Sequence, residues 1–300
     1  MKKPLFTGSG VALVTPMHAD GSINYDKLEE LIEFQISSHT DCILICGTTG
    51  ESAAFTTTEY EKVVGFTYEK VAKRVPVMAG AGSNNTAHAV ELSKIAASIG
   101  VESLLQVTPY YNKTSQAGLI KHFTTIADAT DTPICLYNVP SRTGVTIQPQ
   151  TFAELCKHPN IVAVKDAAND FSAAAKTMAL CGEDLTFYSG NDDVVVPLMS
   201  MGAKGVISVL ANIAPQQTHD ITQNCLKGDY PAATAQMLEL LPVMNALFSD
   251  VNPIPVKEAL NLMGFQVGEC RLPLVPMSDK GKEMLAAELK KAGFIHGSRV

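Results

Sequence analysis

Lys165 ends the apolar run I-V-A-V-K at residues 161–165. Side chains alternate along a strand, so Ile161, Ala163 and Lys165 are expected on one face and Val162 and Val164 on the other. An ammonium at the end of a buried strand loses hydration, which favours the neutral amine. A neutral amine attacks a ketone and forms a Schiff base. The plain alternative is a lysine whose stem is covered while its head reaches solvent. Tyr137 ends the run P-I-C-L-Y at residues 133–137 and shares a strand face with Cys135. A phenol there can shuttle protons between amine, carbinolamine and leaving water; a core tyrosine with its hydroxyl at the rim is the ordinary counterpart. G-T-T-G-E-S, residues 47–52, follows another apolar run. Its glycines permit a tight turn, and Thr48 and Thr49 offer hydroxyls and amides to a small carboxylate. It is not a phosphate-binding P-loop, because no G-K-[ST] follows at the required spacing. Arg142 lies five residues beyond Tyr137 in Y-N-V-P-S-R-T-G, and its planar fork suits bidentate carboxylate binding.

These residues need elements to hold them. Short apolar runs recur at 11–14, 42–46, 75–79, 104–107, 134–137, 161–164, 186–188 and 205–208. Most are apolar on both faces, as strands covered on both sides must be. Helix-like stretches alternate with them, for example 25–38, 58–74, 86–99 and 116–129. Eight strand–helix alternations imply parallel strands with right-handed crossovers, the number that closes a (β/α)8 TIM barrel. An open doubly wound sheet would want a glycine-rich turn after the first strand; Gly8 and Gly10 precede it instead. Beyond residue 225 the strand signal stops, and 231–249, 256–262 and 279–292 read as helices, the first carrying Pro242. The expected organisation is a catalytic barrel over 1–225 and a helical C-terminal extension over 226–300. Catalytic groups of such barrels sit at the C-terminal ends of strands and in the loops after them, where all four candidates fall.

Composition narrows the function. The chain has 300 residues, 46% of them hydrophobic and 18% charged, with a net charge of −7. No run of Lys or Arg exceeds two, which argues against nucleic acid as a partner, so an anionic substrate needs a few placed cations. The seven cysteines show no C-x-x-C and no zinc spacing, and read as reduced thiols. Pro4, Gly8, Gly10 and Pro16 interrupt any signal-peptide helix, and no apolar run reaches the ~20 residues of a membrane span. A soluble cytoplasmic protein is expected.

With these pieces placed, the chain resembles the pyruvate-dependent class I aldolases, the family that includes N-acetylneuraminate lyase. The matching segments are G-T-T-G-E-S, P-Y-Y-N (109–112), Y-N-V-P-S-R-T-G, V-K-D-A (164–167), S-G-N-D (189–192), G-V-I-S-V (205–209), N-P-I-P-V-K (252–257) and R-L-P-L (271–274), over essentially the whole length. The resemblance implies that Lys165 forms a Schiff base with pyruvate, and that Tyr137, Thr48 and Tyr111 form a proton relay. It implies that Thr49, Gly190 and Ile207 line the pyruvate pocket. Arg142 with N-P-I-P-V-K points to the members that condense pyruvate with L-aspartate 4-semialdehyde in lysine and diaminopimelate biosynthesis, Arg142 gripping the semialdehyde carboxylate. A sialic acid lyase or 2-keto-3-deoxy sugar-acid aldolase would want hydroxyl partners in place of Arg142; a non-catalytic metabolite-binding barrel would not need these residue types together. No metal, nucleotide or organic cofactor is implied.

The tyrosine matching Tyr111 enters a neighbouring subunit's site in this family, which implies a homo-oligomer, a tetramer built as a dimer of dimers. Two departures stand out. Asp166 follows the lysine where glutamate is common. In lysine-inhibited relatives an interface cleft binds the effector through positions matching Ser52, Ala53, Thr57 and Tyr60, together with Asn84, His88 and Tyr110. His88 replaces the glutamate that meets the effector, and Thr57 and Tyr60 stand where histidines are frequent. An imidazole lacks the fixed negative charge an effector ammonium needs, so L-lysine is expected to inhibit weakly or not at all.

Overall fold

The computed structural model describes residues 2–295. The elements run β1 (Gly8–Ala12), α1 (Tyr25–Ser37), β2 (Cys42–Ile45), α2 (Thr57–Val71), β3 (Val77–Gly80), α3 (Thr86–Ile99), β4 (Ser103–Val107) and α4 (Gln116–Ala127). They continue as β5 (Ile134–Asn138), α5 (Pro140–Thr143), α6 (Pro149–Leu155), β6 (Ile161–Asp166), α7 (Phe171–Cys181), β7 (Thr186–Ser189), α8 (Val195–Ser200), β8 (Gly205–Ser208) and α9 (Pro215–Lys227). Last come α10 (Tyr230–Ala246), α11 (Ile254–Leu262) and α12 (Asp279–Lys291). All strand pairings are parallel, and β8 returns to β1 to close the barrel. The open doubly wound sheet is thereby excluded.

Strands apolar on both faces serve two cores. Val11, Ile43, Val77, Leu104, Leu136, Val164 and Val206 face the helix layer. Ala12, Leu44, Met78, Leu105, Cys135, Ala163 and Ile207 fill the barrel interior. Tyr188 plugs that interior: its ring stacks on Phe6 at 4.3 Å, and its hydroxyl donates to the Phe6 carbonyl at 2.7 Å. Helix starts follow their capping residues. Asn24 accepts from the Lys27 amide, Ser115 from that of Gly118, and Thr56 forms a reciprocal capping box with Glu59.

One expectation fails inside β6. Ile161 faces the helices and Val162 the interior, the reverse of simple alternation. The cause is a register shift: Ile134 pairs with Ile161, but Cys135 pairs with Ala163, so Val162 is an inserted bulge residue. A bulge resets which residues share a face. Beyond it Ala163 and Lys165 do share the inner face. Three helices also end two or three residues earlier than expected, α10 among them at Ala246. α2 stops at Val71 because Ala72 and Lys73 adopt left-handed backbone, φ 49° and 60°; α4 stops at Ala127.

After α9 the chain leaves the barrel. α10 packs on α9 and α12, and α11 packs on α12. Pro242 lies within α10 and offers no N–H to the preceding turn. α11 sends Lys257 back under the barrel mouth. Its Nζ donates to Glu51 Oε1 at 2.9 Å and to the carbonyls of Thr15 at 3.1 Å and Glu269 at 2.7 Å. Both members of the Lys257–Glu51 pair are buried. Among the described residues no helix is long and apolar enough to cross a membrane.

Candidate active site

β5 and β6 are in register so that Tyr137 stands beside Lys165. Both are buried, and Lys165 Nζ lies 4.4 Å from the Tyr137 ring centroid. They open into a cavity of about 280 Å³ at the C-terminal end of the strands, with Thr48, Thr49, Arg142 and Gly190 also on its wall. Six expected residues therefore meet in one place.

The loop after β2 brings in the threonines. Cys46 and Glu51, near its ends, are left-handed at φ 55° and 60°. Gly80 on β3 gives the loop room: a Cβ there would stand 2.2 Å from the Cys46 carbonyl oxygen. The loop is fixed from outside by Thr15 Oγ1, which donates to the Gly50 carbonyl at 2.8 Å, and by Glu51, which meets Lys257 and the Arg271 amide. Thr49 is buried, and its Oγ1 accepts from Asn252 Nδ2 at 3.0 Å. Thr48 is exposed toward the cavity. Among the described residues no hydrogen bond joins Thr48 to Tyr137 within one chain.

Arg142 rides on the single turn α5. Thr108 Oγ1 donates to Thr143 Oγ1 at 3.0 Å and anchors that turn to β4. The Arg142 guanidinium donates one long bond, 3.4 Å, to the Asn252 carbonyl, leaving most of its donors to face the mouth. Gly190 lies flat on β6, its amide donating to the Asp166 carbonyl at 2.7 Å. A Cβ there would sit 2.8 Å from that of Ala167. Asp166 points away from the cavity and accepts from Asn138 Nδ2 at 2.9 Å. Burial pushes its carboxyl above the usual range, and the Asn138 bond pulls it back.

Two expected residues are elsewhere. Tyr111 is 94% exposed, with φ 63°, and lines no wall of this cavity. Ile207 sits 1% exposed in the interior core with Tyr137; the β8 side of the cavity is made by Val209. The strand ends at Ser208, and the chain turns at Val209 over the top of the interior core that holds Ile207. Asn252 was not assigned a role from the sequence, yet it binds Thr49, touches Arg142 and lines the cavity. Its signal was present in N-P-I-P-V-K, but nothing local places that segment over the barrel.

A second cleft of about 770 Å³ adjoins the first. Ser52, Ala53, Thr57 and Tyr60 line one side; Asn84, His88 and Tyr110 line another. Thr48, Val139, Arg142 and Asn252 belong to both cavities, so the two share a wall. His88 Nδ1 lies 3.0 Å from Glu91 Oε2. Among the described residues no three His, Cys, Asp or Glu side chains cluster as metal ligands would.

A closed (β/α)8 barrel with a buried lysine beside a tyrosine at its C-terminal mouth defines a lysine-bearing barrel of the aldolase type. Residues 5–292 match the dihydrodipicolinate synthetase family, and the chain belongs to that family. It is 54% identical over 293 residues to the 4-hydroxy-tetrahydrodipicolinate synthase of Thermoanaerobacter sp. (strain X514), covering 97% of this chain and 98% of the relative. It superposes on the crystal structure of dihydrodipicolinate synthase from Thermotoga maritima with a TM-score of 0.95 at 40% identity, covering 97% of this chain and all (100%) of that one. The crystal structure of the Cyanidioschyzon merolae DHDPS with lysine bound also gives 0.95, at 36% identity, with coverage of 98% and 100%.

Proposed function

We propose that this chain condenses pyruvate with L-aspartate 4-semialdehyde through a Schiff base on Lys165, the reaction of a 4-hydroxy-tetrahydrodipicolinate synthase. The observation that carries it is the Lys165–Tyr137 pair, 4.4 Å from nitrogen to ring centroid, in a cavity that Arg142 also lines. The Lys165 amine adds to the ketone carbon of pyruvate; water leaves, and a protonated iminium remains. Tyr137 and Thr48 relay the protons of these steps. The iminium draws electrons from the neighbouring methyl group, which loses a proton and becomes an enamine. The enamine carbon attacks the aldehyde of the second substrate. The amine of that substrate then displaces Lys165 as the ring closes. Thr49 and Gly190 bound the pyruvate end, and Arg142 grips the carboxylate of the semialdehyde.

Tyr111 completes the relay from a second copy of the chain, which accounts for an aromatic left bare beside the mouth; the assembly is a dimer of dimers. The cleft beside the site binds L-lysine poorly, because His88, engaged by Glu91, offers no carboxylate to an effector ammonium. Borohydride reduction in the presence of pyruvate, followed by intact mass and peptide mapping, tests the central claim. A pyruvate adduct on Lys165 is expected; a folded protein without one would leave the barrel as a binding protein.

A further inference from the structure

Asp192 is a buried carboxylate that none of the steps above uses. Ser208 Oγ donates to its Oδ1, and the amides of Val209 and Leu210 donate to its Oδ2 at 3.1 and 2.9 Å. Ser208 Oγ in turn accepts from the Ala211 amide at 2.8 Å. On the other flank Asn212 Nδ2 donates to the carbonyls of Ala12 at 2.8 Å and Val209 at 3.0 Å, and its Oδ1 accepts from the Val14 amide at 3.0 Å. The turn after β8, residues 208–212, is thus nailed to β1 by Asn212 and to the β7 loop by Asp192.

That turn is part of the site. Val209 and Ala12 line the cavity with Lys165, as do Gly190 and Asn191, which immediately precede Asp192. The Asp192 carboxylate therefore lies directly behind the wall beside the reactive amine. A carboxylate taken out of water is costly unless compensated, and among the described residues Asp192 makes no ion pair. Burial pushes its carboxyl above the usual range; the three hydrogen bonds and the charge of Lys165 draw it back.

We propose that Asp192 is a positioning residue of this site: by fixing residues 208–212 against the β7 loop it sets the wall that the bound 2-oxo acid meets beside Lys165. The proposal rests on the reading of Lys165 as the Schiff-base residue. Arg142 reaches the cavity from the far side, after β5, so the partner aldehyde is held independently of this wall.

Asp192→Ala and Asp192→Asn in the full-length chain separate the possibilities. Asparagine keeps an oxygen for the two amides and an amide for Ser208 Oγ; alanine keeps neither. The expected result is a pyruvate KM raised about tenfold or more in Asp192→Ala, with the aldehyde KM unchanged, and most of that loss recovered in Asp192→Asn. An unchanged pyruvate KM in Asp192→Ala, no recovery in Asp192→Asn, or both KM values rising together overturns it. Should Asp192→Ala fail to fold, Ser208→Ala cuts the same tether from the other end: a raised pyruvate KM is expected there, and an unchanged one overturns the proposal. Borohydride trapping of the parent chain keeps the two claims apart. If the parent is trapped by pyruvate and the variants behave like it, only the positioning role fails; if the parent is not trapped, the Schiff-base reading itself fails.

Discussion

Tyr137 and Lys165 carry the most demanding expectation at the scale of single residues. Replacing Tyr137 with Phe keeps the ring beside Lys165 and removes the proton carrier. The expected outcome is a fall in kcat of about 10²–10³, with pyruvate still trapped on Lys165, more slowly, in timed borohydride quenches. Lys165→Ala removes trapping altogether. Both residues were legible in the sequence because each ends an apolar run, and a strand's end fixes where its last side chain emerges. What misled was the start of the β6 run: no residue type in I-V-A-V-K marks Val162 as a bulge, since the register shift is set by pairing with β5. Ile207, expected from the resemblance, lies in the interior core, and Val209 beyond the strand's end lines the cavity instead; a motif match does not fix the depth at which a cavity begins. Asn252 was illegible as a partner of Thr49 for a simpler reason: 203 residues separate them, and only the closed barrel brings them together.

Elements are held in place by contacts of similar reach. The loop after β2 carries both site threonines, yet its anchor, Lys257, belongs to α11 in the extension. Removing one member of a buried ion pair leaves the other charge uncompensated, at roughly 3–5 kcal/mol. Lys257→Met is therefore expected to lose stability on that scale, read from urea denaturation midpoints. Changing Glu51 to Gln in the same chain should recover part of the loss, since no lone carboxylate then remains. The alternation of strands and helices was legible because each strand must be apolar on two sides. Helix ends were less so: α2 stops at Val71, before Ala72 and Lys73, residues of ordinary helical type that adopt left-handed backbone.

At the scale of the molecule, one group that links stability to mild acid is His122, buried on α4 with Nδ1 2.9 Å from Thr86 Oγ1 and Nε2 without a partner. Burial lowers its pKa from 6.5 to about 4. The unfolded chain takes up this proton near pH 6.5 and the folded chain only near 4, so stability is unaffected above pH 6.5 and falls as the pH drops toward 4. Between pH 7 and pH 5 the loss is about 2 kcal/mol from this group. His122→Gln should flatten that part of the urea-derived stability profile; an identical slope would assign the acid sensitivity elsewhere. The assembly gives a separate expectation. If Tyr111 acts in a neighbour's site, specific activity falls on dilution below the dimer dissociation constant, and Tyr111→Phe lowers kcat while light scattering shows the same oligomer.

The wall common to the two cavities ties their occupants together thermodynamically. Thr48, Arg142 and Asn252 face both, so a ligand that shifts them from the cleft side changes the affinity for substrate, and substrate must change the affinity for that ligand by the same factor. A compound selected against the empty cleft would thus be ranked on the wrong state. Its affinity in a cell holding abundant 2-oxo acid is the one measured with the neighbouring cavity filled, and the ratio of the two values reports the coupling without any assay of turnover.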